Sequence, residues 1–558
     1  MHYRFPAVIG IFMLLFTIPA LGDDDSRPQD AARPFLQVSA GTGFGLARIA
    51  DYPQRSLGQL EERFGEELAW GRAYLFYADE GSLRVNVLGA GTPATAREVA
   101  SQLAEMRAPG FVERQGALVY EFATSDAALA KRARERISFR ATECSELDGD
   151  PRARYLAAHG DPVDLSAPEE LPLEARLGSH GGPRLFLTGE QHGIAENQLL
   201  EYAFLTYLHR DANVRVYLQE LPYSAGVLLN RYLQTGDEAA LETAFRGFTG
   251  TYSSSEELLE LYRRVRRYNA DLEEGERIRL VGFDMEHQPR TAFHVVAGMI
   301  EGLEAPGEYA GLFERIREMA AQPASRSGRN EPGGADTGGS GIAGRTSAAR
   351  MKEIASRALS AAEDEAEWFR TELAADAFDF EIIMKNVVNL FEAREAQGER
   401  EWNRIRDRMM YENVLSIYGT LPEESSIFGQ WGLNHIFQAK QFGVDWLAAR
   451  LDSDPRSPLQ GRVVSIAYAY DDAMQKSKQA GNPQPLTSYV PDPGVALCNA
   501  RGPYTLYRFD APGSPYAEEL SWMIATPRPE SGFTTDYFQY LLLVRDGTAS
   551  QPLGEDSF

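Results

Sequence analysis

From Leu177 onward, short apolar runs alternate with long amphipathic stretches. Four of the runs, Arg184–Thr188, Val214–Leu218, Ile278–Gly282 and Ser426–Gly429, end in polar residues and read as strands buried on both faces of a parallel sheet. Two more follow at Arg462–Ala469 and Tyr537–Val544. Between them, Ala195–His209, Ser255–Asn269 and Trp402–Tyr418 carry apolar residues at helical spacing. Strand and helix alternate, which predicts an α/β fold with a mostly parallel sheet flanked by helices. Ligands of such sheets bind at the carboxyl ends of the strands.

Upstream, residues 35–140 read as a small α+β domain. Strand-like runs fall at Ala73–Ala78, Leu83–Leu88 and Ala117–Phe122, and helical patterns at Ser56–Leu68, Thr95–Met106 and Asp126–Ile137. Within it, Gly89-Ala90-Gly91-Thr92-Pro93-Ala94 formally matches the GxGxxA dinucleotide fingerprint. The βαβαβ context and the ribose-binding acid are not convincing, so a Gly/Pro turn capping a helix is the preferred reading. The α/β domain spans 177–558. It is interrupted at 322–346 by a Gly-, Ser-, Pro- and Ala-rich stretch predicted to be disordered, then by a helical insertion at 351–400. That insertion is either a lid over the site or ordinary packing.

A chain of 558 residues suggests two to four domains at about 150 residues each. Lys and Arg total 56 against 81 Asp and Glu, and the net charge of -25 repels phosphate backbones, so nucleic acid is not an expected partner. Arg4, the apolar run Val8–Ile18 and the small residues before Asp23 read as a signal peptide over 1–22, followed by a flexible leader over 23–34. The apolar run falls short of the roughly 20 residues a membrane span requires. The expected location is therefore periplasmic or secreted, without stable membrane insertion after cleavage. Cys144 and Cys498 leave a single pairing in an oxidising compartment, or two separate buried thiols.

The chemistry gathers at the strand ends. Gly189-Glu190-Gln191-His192-Gly193 follows the first run, Gln219-Glu220 the second, Phe283-Asp284-Met285-Glu286-His287 the third, and Gln430-Trp431-Gly432-Leu433-Asn434-His435 the fourth. In a parallel sheet these tips share one rim. A neutral imidazole can take a proton from water, and a carboxylate can orient the ring and stabilise its charged form. His192 is thus the candidate base, Glu190 and Glu220 its partners, and His435 a second histidine on the opposite side of the substrate. Asp284, Glu286, His287 and Asn434 are candidate substrate contacts, while His159, His180, His209 and His294 are left as surface or core residues. No GxSxG elbow occurs, which disfavours an acyl-enzyme route.

Taken in order, these motifs resemble the erythromycin esterase-like family. They include Gly189-Glu190 with His192-Gly193, Glu220, Tyr268-Asn269, Gly282-Phe283-Asp284, then Arg406-Asp407, Met410 and Glu412-Asn413, and last Trp431 to His435, all within roughly residues 180–545. The resemblance implies hydrolysis of a small-molecule ester or lactone by a water activated at His192, with Glu190, Glu220 and His435 in support and no cofactor. Arg406, Met410 and Asn413 fall on one helical face, which suits a helix that packs on the sheet and ties adjacent loops. One residue separates Glu190 from His192 where the esterases usually have two, and an arginine expected on the following helix is missing from Glu196-Asn197-Gln198-Leu199-Leu200-Glu201. Both histidine motifs also fit GxxH, similar to TraB and Tiki-type proteins. That likeness implies a divalent metal such as Mn or Zn held by the two histidines with Glu190 or Glu220. Haem-uptake ChaN-like proteins share the superfamily and imply ligand binding without turnover.

Overall fold

The computed structural model describes most of residues 35–554. Residues 1–34, 169–176, 178–184, 322–341, 478–482, 487–492, 525–528 and 555–558, with some shorter stretches, lie outside the described residues. The expected signal peptide and leader fall there, as does most of the 322–346 segment.

The first strands are β1 (Phe35–Ala40), β2 (Gly45–Asp51), β3 (Leu68–Ala78), β4 (Gly81–Ala90), β5 (Phe111–Gln115), β6 (Leu118–Ala123) and β7 (Ile137–Thr142). β1 pairs with β7, and the others form an antiparallel sheet in the order β2-β3-β4-β6-β5. Side chains alternate across it. Val85, Val87, Tyr120 and Phe122 pack toward the helix Ala127–Arg136, whereas Leu88, Ala90 and Val119 pack toward the helices Gln54–Phe64 and Pro93–Met106. The first of those helices stops short of the predicted Leu68 because Gly65 turns to a φ of 67° and Leu68 already begins β3. β4 lies in this antiparallel sheet, so the Gly89–Ala94 motif has no βαβ unit around it and serves as the turn into a helix.

The larger unit is an eight-stranded sheet. In chain order its strands are β8 (Gly160–Pro162), β9 (Leu185–Glu190), β10 (Val214–Pro222), β11 (Arg279–Asp284), β12 (Ser426–Gly432), β13 (Val463–Asp471), β16 (Tyr504–Arg508) and β17 (Tyr540–Arg545), while β14 (Ala473–Gln475) and β15 (Gln484–Leu486) form a separate hairpin. The spatial order is β11-β10-β12-β9-β13-β17-β16-β8. The run from β11 to β17 is parallel, and β16 is antiparallel to both its neighbours. This is the α/β architecture expected. β9 and β13 are buried at every residue, including Thr188, Glu190, Ser465 and Asp471, as their mostly apolar composition in the middle of a parallel sheet leads one to expect.

Each of the four predicted strands is present, and each runs further than its apolar core, taking Glu190, Glu220, Asp284 and Gly432 into the strands themselves. The large core also reaches back before residue 177. The helix Pro151–His159 contributes Tyr155 and Leu156 to it, and β8 closes one sheet edge. A Cys144–Cys498 disulfide spans 354 residues of sequence, settling the choice between paired and separate thiols.

The helix Ile342–Asp364 begins inside the segment predicted to be disordered, so residues 342–346 are helical. With Ala377–Ala393 it packs into the main core through Ile354, Ala358, Phe380 and Ile383, which makes the insertion a supporting layer. Among the described residues no helix is long and apolar enough to cross a membrane.

Candidate active site

β12 inserts between β10 and β9, and this placement assembles the site. Gly432 stands in register with Glu190, and Gln430 with Thr188. On the other side, the pairing of β10 with β11 slips between Gln219 and Pro222, a bulge at the position of Glu220. A methyl group built on Gly432 would lie 3.3 Å from Glu220 Oε2, 3.4 Å from His192 Nε2 and 3.5 Å from His435 Cδ2. Three residues from three sequence-distant strand ends therefore crowd the position beside Gly432, where any side chain would press on all of them.

His192 Nδ1 lies 2.7 Å from Glu190 Oε1. A carboxylate only accepts, so Nδ1 carries the hydrogen and Nε2 keeps its lone pair toward the opening. Partial loss of solvation disfavours the charge of the ring, whose side chain is still 44% exposed, but the Glu190 hydrogen bond and the charges of Glu190 and Glu220 outweigh that and raise its pKa. Gly193 shapes the corner after the histidine. Its φ is 89°, and a Cβ there would meet the Tyr252 ring at 2.9 Å. Gly189 meets a similar limit, since its Cβ would fall 2.4 Å from Ile436 Cγ1.

Behind Glu220 sits Arg406, on the helix Glu399–Tyr418. Its Nη2 donates to Glu220 Oε1 at 2.6 Å and to Asp284 Oδ2 at 2.5 Å, and its Nη1 donates to His435 Nε2 at 3.0 Å. Arginine has no acceptor, so His435 presents its Nε2 lone pair and directs Nδ1–H to Asp407 Oδ1, 2.9 Å away. Burial alone would raise the Glu220 carboxyl, yet His435, Arg406 and His192 pull it down to about 2. Asp284 is held well below the carboxylate range, its burial offset chiefly by Arg406 and His287. For His435, burial opposes protonation, and Asp407 with Glu220 reverses the balance, raising its pKa.

A third cluster lies on the far side of Glu190. Gln430 Nε2 stands 3.1 Å from Glu190 Oε2 and 3.1 Å from Glu201 Oε2. Glu201 also accepts from Tyr217 OH and from Gln219 Nε2 at 3.0 Å, while Tyr262 OH fixes Gln219 at 2.7 Å. Burial, then the charge of Glu190, push the Glu201 carboxyl up to about 8. Glu190, His192, Glu201, Glu220, Gln430 and Tyr252 are among the residues around a pocket of about 60 Å³.

The structure brings Glu190, His192 and Glu220 to the pocket and sets His435 behind Glu220, its Nε2 3.4 Å from Glu220 Oε1. The other candidates do not line the pocket either. Asp284 is 1% exposed, fully engaged by Arg406, by His287 Nε2 at 2.8 Å and by the Met285 amide. Glu286 turns away to the Ser224 amide and hydroxyl at 2.9 and 2.6 Å, and burial raises its pKa to about 8. His287 serves Asp284. Asn434 is half-buried, its carbonyl taking up the Phe437 amide in a turn. Asp284, Glu286 and His287 support the site from behind because β11 ends one strand beyond the pocket with Arg406 packed against Asp284, and Asn434, which follows β12, does not line the pocket.

Sequence reasoning assigned the Arg406 helix to packing and loop tying. Asn413 fits this, donating to the Phe283 carbonyl at 2.9 Å, and Met410 is buried. Arg406 and Asp407 do more, since they orient Glu220 and His435. Glu201 was missed, although an acid inside the apolar Leu199-to-Leu208 stretch of a helix was a readable signal of a buried carboxyl.

A divalent metal held by both histidines does not fit this donor set. His435 Nε2 is occupied by Arg406, whose guanidinium already supplies the positive charge between Glu220 and Asp284. Among the described residues, no three His, Cys, Asp or Glu side chains are arranged to hold a metal ion.

Residues 211–430 match the family model described as erythromycin esterase. The matched span contains Glu220, Asp284, Arg406 and Asp407. No curated protein sequence matches the chain. Among solved structures, a succinoglycan biosynthesis protein is 14% identical with a TM-score of 0.52, covering 72% of this chain and 98% of its own. A Bacillus cereus protein is 15% identical with a TM-score of 0.51 over 74% and 99%. A mutant of the erythromycin esterase EreC in its open conformation is 14% identical with a TM-score of 0.50 over 71% and 99%. The chain shares the fold of these proteins, and the match to the erythromycin esterase model is confined to residues 211–430.

Proposed function

We propose, proceeding from that family likeness, that this protein hydrolyses an ester or lactone of a small molecule with a water activated by His192. The observation that carries the reading is the Glu190–His192 pair, 2.7 Å apart, standing with Glu220 in the wall of one pocket. A water there gives a proton to His192 Nε2 as its oxygen attacks the carbonyl carbon. The imidazolium is stabilised by Glu190, and the carbonyl oxygen becomes an oxyanion in the positive field of Arg406. Collapse breaks the bond to the alkoxy oxygen, which takes the proton back from His192. The products are a carboxylic acid and an alcohol. Export to a periplasmic or extracellular space is supported by the Cys144–Cys498 disulfide and by the leader read from residues 1–22.

The test is turnover of ester and lactone substrates by the purified protein and by His192→Ala. The variant is expected to lose about 10²–10⁴-fold in kcat/KM while melting like the parent. Undiminished turnover in His192→Ala overturns the assignment. Activity that disappears on chelation and returns with Mn²⁺ or Zn²⁺ would instead favour the metal-dependent alternative.

A further inference from the structure

The segment Gly547–Gly554, following β17, is tied to both sides of the pocket mouth. On the side of the catalytic histidine, the Ser550 amide donates to the Gly193 carbonyl at 3.1 Å and the Ala195 amide to the Thr548 carbonyl at 2.8 Å. Glu196 secures the same end, accepting from the Thr548 amide at 2.8 Å and hydroxyl at 2.9 Å. On the opposite side, the Gln551 amide donates to both Glu257 oxygens at 3.0 Å, and the Glu256 amide donates to the Gln551 carbonyl at 3.1 Å. Isolated β-bridges join Ile194 to Ala549 and Ser255 to Pro552. Lys476 spans the same gap, its amide donating to the Gly193 carbonyl at 2.8 Å and its Nζ to the Ser254 carbonyl.

This strap forms one side of the opening, and Ser550, 4% exposed, stands in the pocket wall with Gly193, Tyr252, Ser253 and Ser255. The space inside is about 60 Å³. At about 10–15 Å³ per water on this measure, it holds on the order of four to six waters or as many non-hydrogen atoms. Polar groups such as Ser253 and Gln219 share the wall with Leu221 and Leu258.

We propose that the Gly547–Gly554 strap sets substrate specificity, admitting past His192 only a short half of the ester, of acetyl to hydroxybutyryl size, and excluding long chains and macrocycles. The inference rests on the hydrolase reading above. A longer chain would have to displace Ser550, and the anchors at Gly193, Glu196 and Glu257 hold that residue in place from both ends.

Two substrate series test it: straight-chain acyl esters of one alcohol, and straight-chain alkyl esters of one hydroxy acid, each from two to eight carbons. In one series kcat/KM is expected to fall about 30-fold or more with length. In the double variant Glu196→Ala, Glu257→Ala, which removes the side-chain anchor at each end, that ratio should shrink to within about threefold, with the short ester cleaved at close to the parental rate. Ser550→Leu keeps the anchors and narrows the wall, so it should shorten the longest ester accepted, and it serves if the double variant does not fold. Equal turnover at all lengths in both series, or length discrimination unchanged in the variants that fold, overturns the proposal while leaving the hydrolase reading intact. Absence of turnover on every ester sinks the hydrolase reading instead.

Discussion

Arg406 Nη2 lies 2.6 Å from Glu220 Oε1. From that one nitrogen it also reaches Asp284, so a single guanidinium neutralises two buried carboxylates that arrive on neighbouring strands. Removing it leaves both charges uncompensated. Arg406→Ala is expected to destabilise the fold by about 3–5 kcal/mol, read by chemical denaturation at neutral pH. Arg406→Lys keeps the charge without the planar fork, so it should lose less stability but still misplace Glu220 and His435 and lower kcat. An Ala variant as stable as the parent would show that the pair does not carry this burden.

Gly432 has φ -55° and ψ 138°, a conformation open to any residue. Alanine there costs no backbone strain, and its methyl would press on Glu220, His192 and His435 at 3.3, 3.4 and 3.5 Å and disturb their alignment. Gly432→Ala should therefore melt within about 1 kcal/mol of the parent yet lose about 10²-fold or more in kcat/KM. Retained activity would show that turnover does not depend on this alignment.

Glu190 raises the proton affinity of His192, and the base works only when neutral. In Glu190→Gln the His192 pKa falls, so the acid limb of the kcat/KM–pH profile should move to lower pH. The plateau should drop as well, because the imidazolium loses its partner. A limb displaced upward, or unmoved, contradicts the assignment of His192 as base.

The Glu201 carboxyl, at about 8 in the folded protein against 4.5 as its ordinary value, holds its proton more tightly when folded. Its contribution to stability is complete below about pH 4.5 and is lost as pH rises to about 8, at up to about 1.4 kcal/mol per pH unit. Glu201→Gln cannot titrate and lacks that decline. The variant should gain on the parent between pH 5 and pH 8, measured as the difference in unfolding free energy. Glu220 has the opposite sign, since its carboxyl, lowered to about 2, gives stability present above about pH 4.5 and lost as pH falls toward 2.

The order of apolar runs and helical stretches was sufficient to predict the α/β sheet and the carboxyl-end location of the site. Burial on both faces leaves a composition that one sequence displays, and a strand's exit carries its polar residues with it. Glu190, His192, Glu220 and His435 were legible for that reason. What the tertiary structure decided was adjacency. β12 comes late in the chain yet inserts between β10 and β9, and this alone sets Gly432 against His192 and Glu220 and moves Asp284, Glu286 and His287 behind Arg406. Strand order depends on how helices pack over many residues, and no local pattern encodes it. The same holds for Glu201 and for the Gly547–Gly554 strap, whose partners lie far away in sequence and meet them only once the chain has folded.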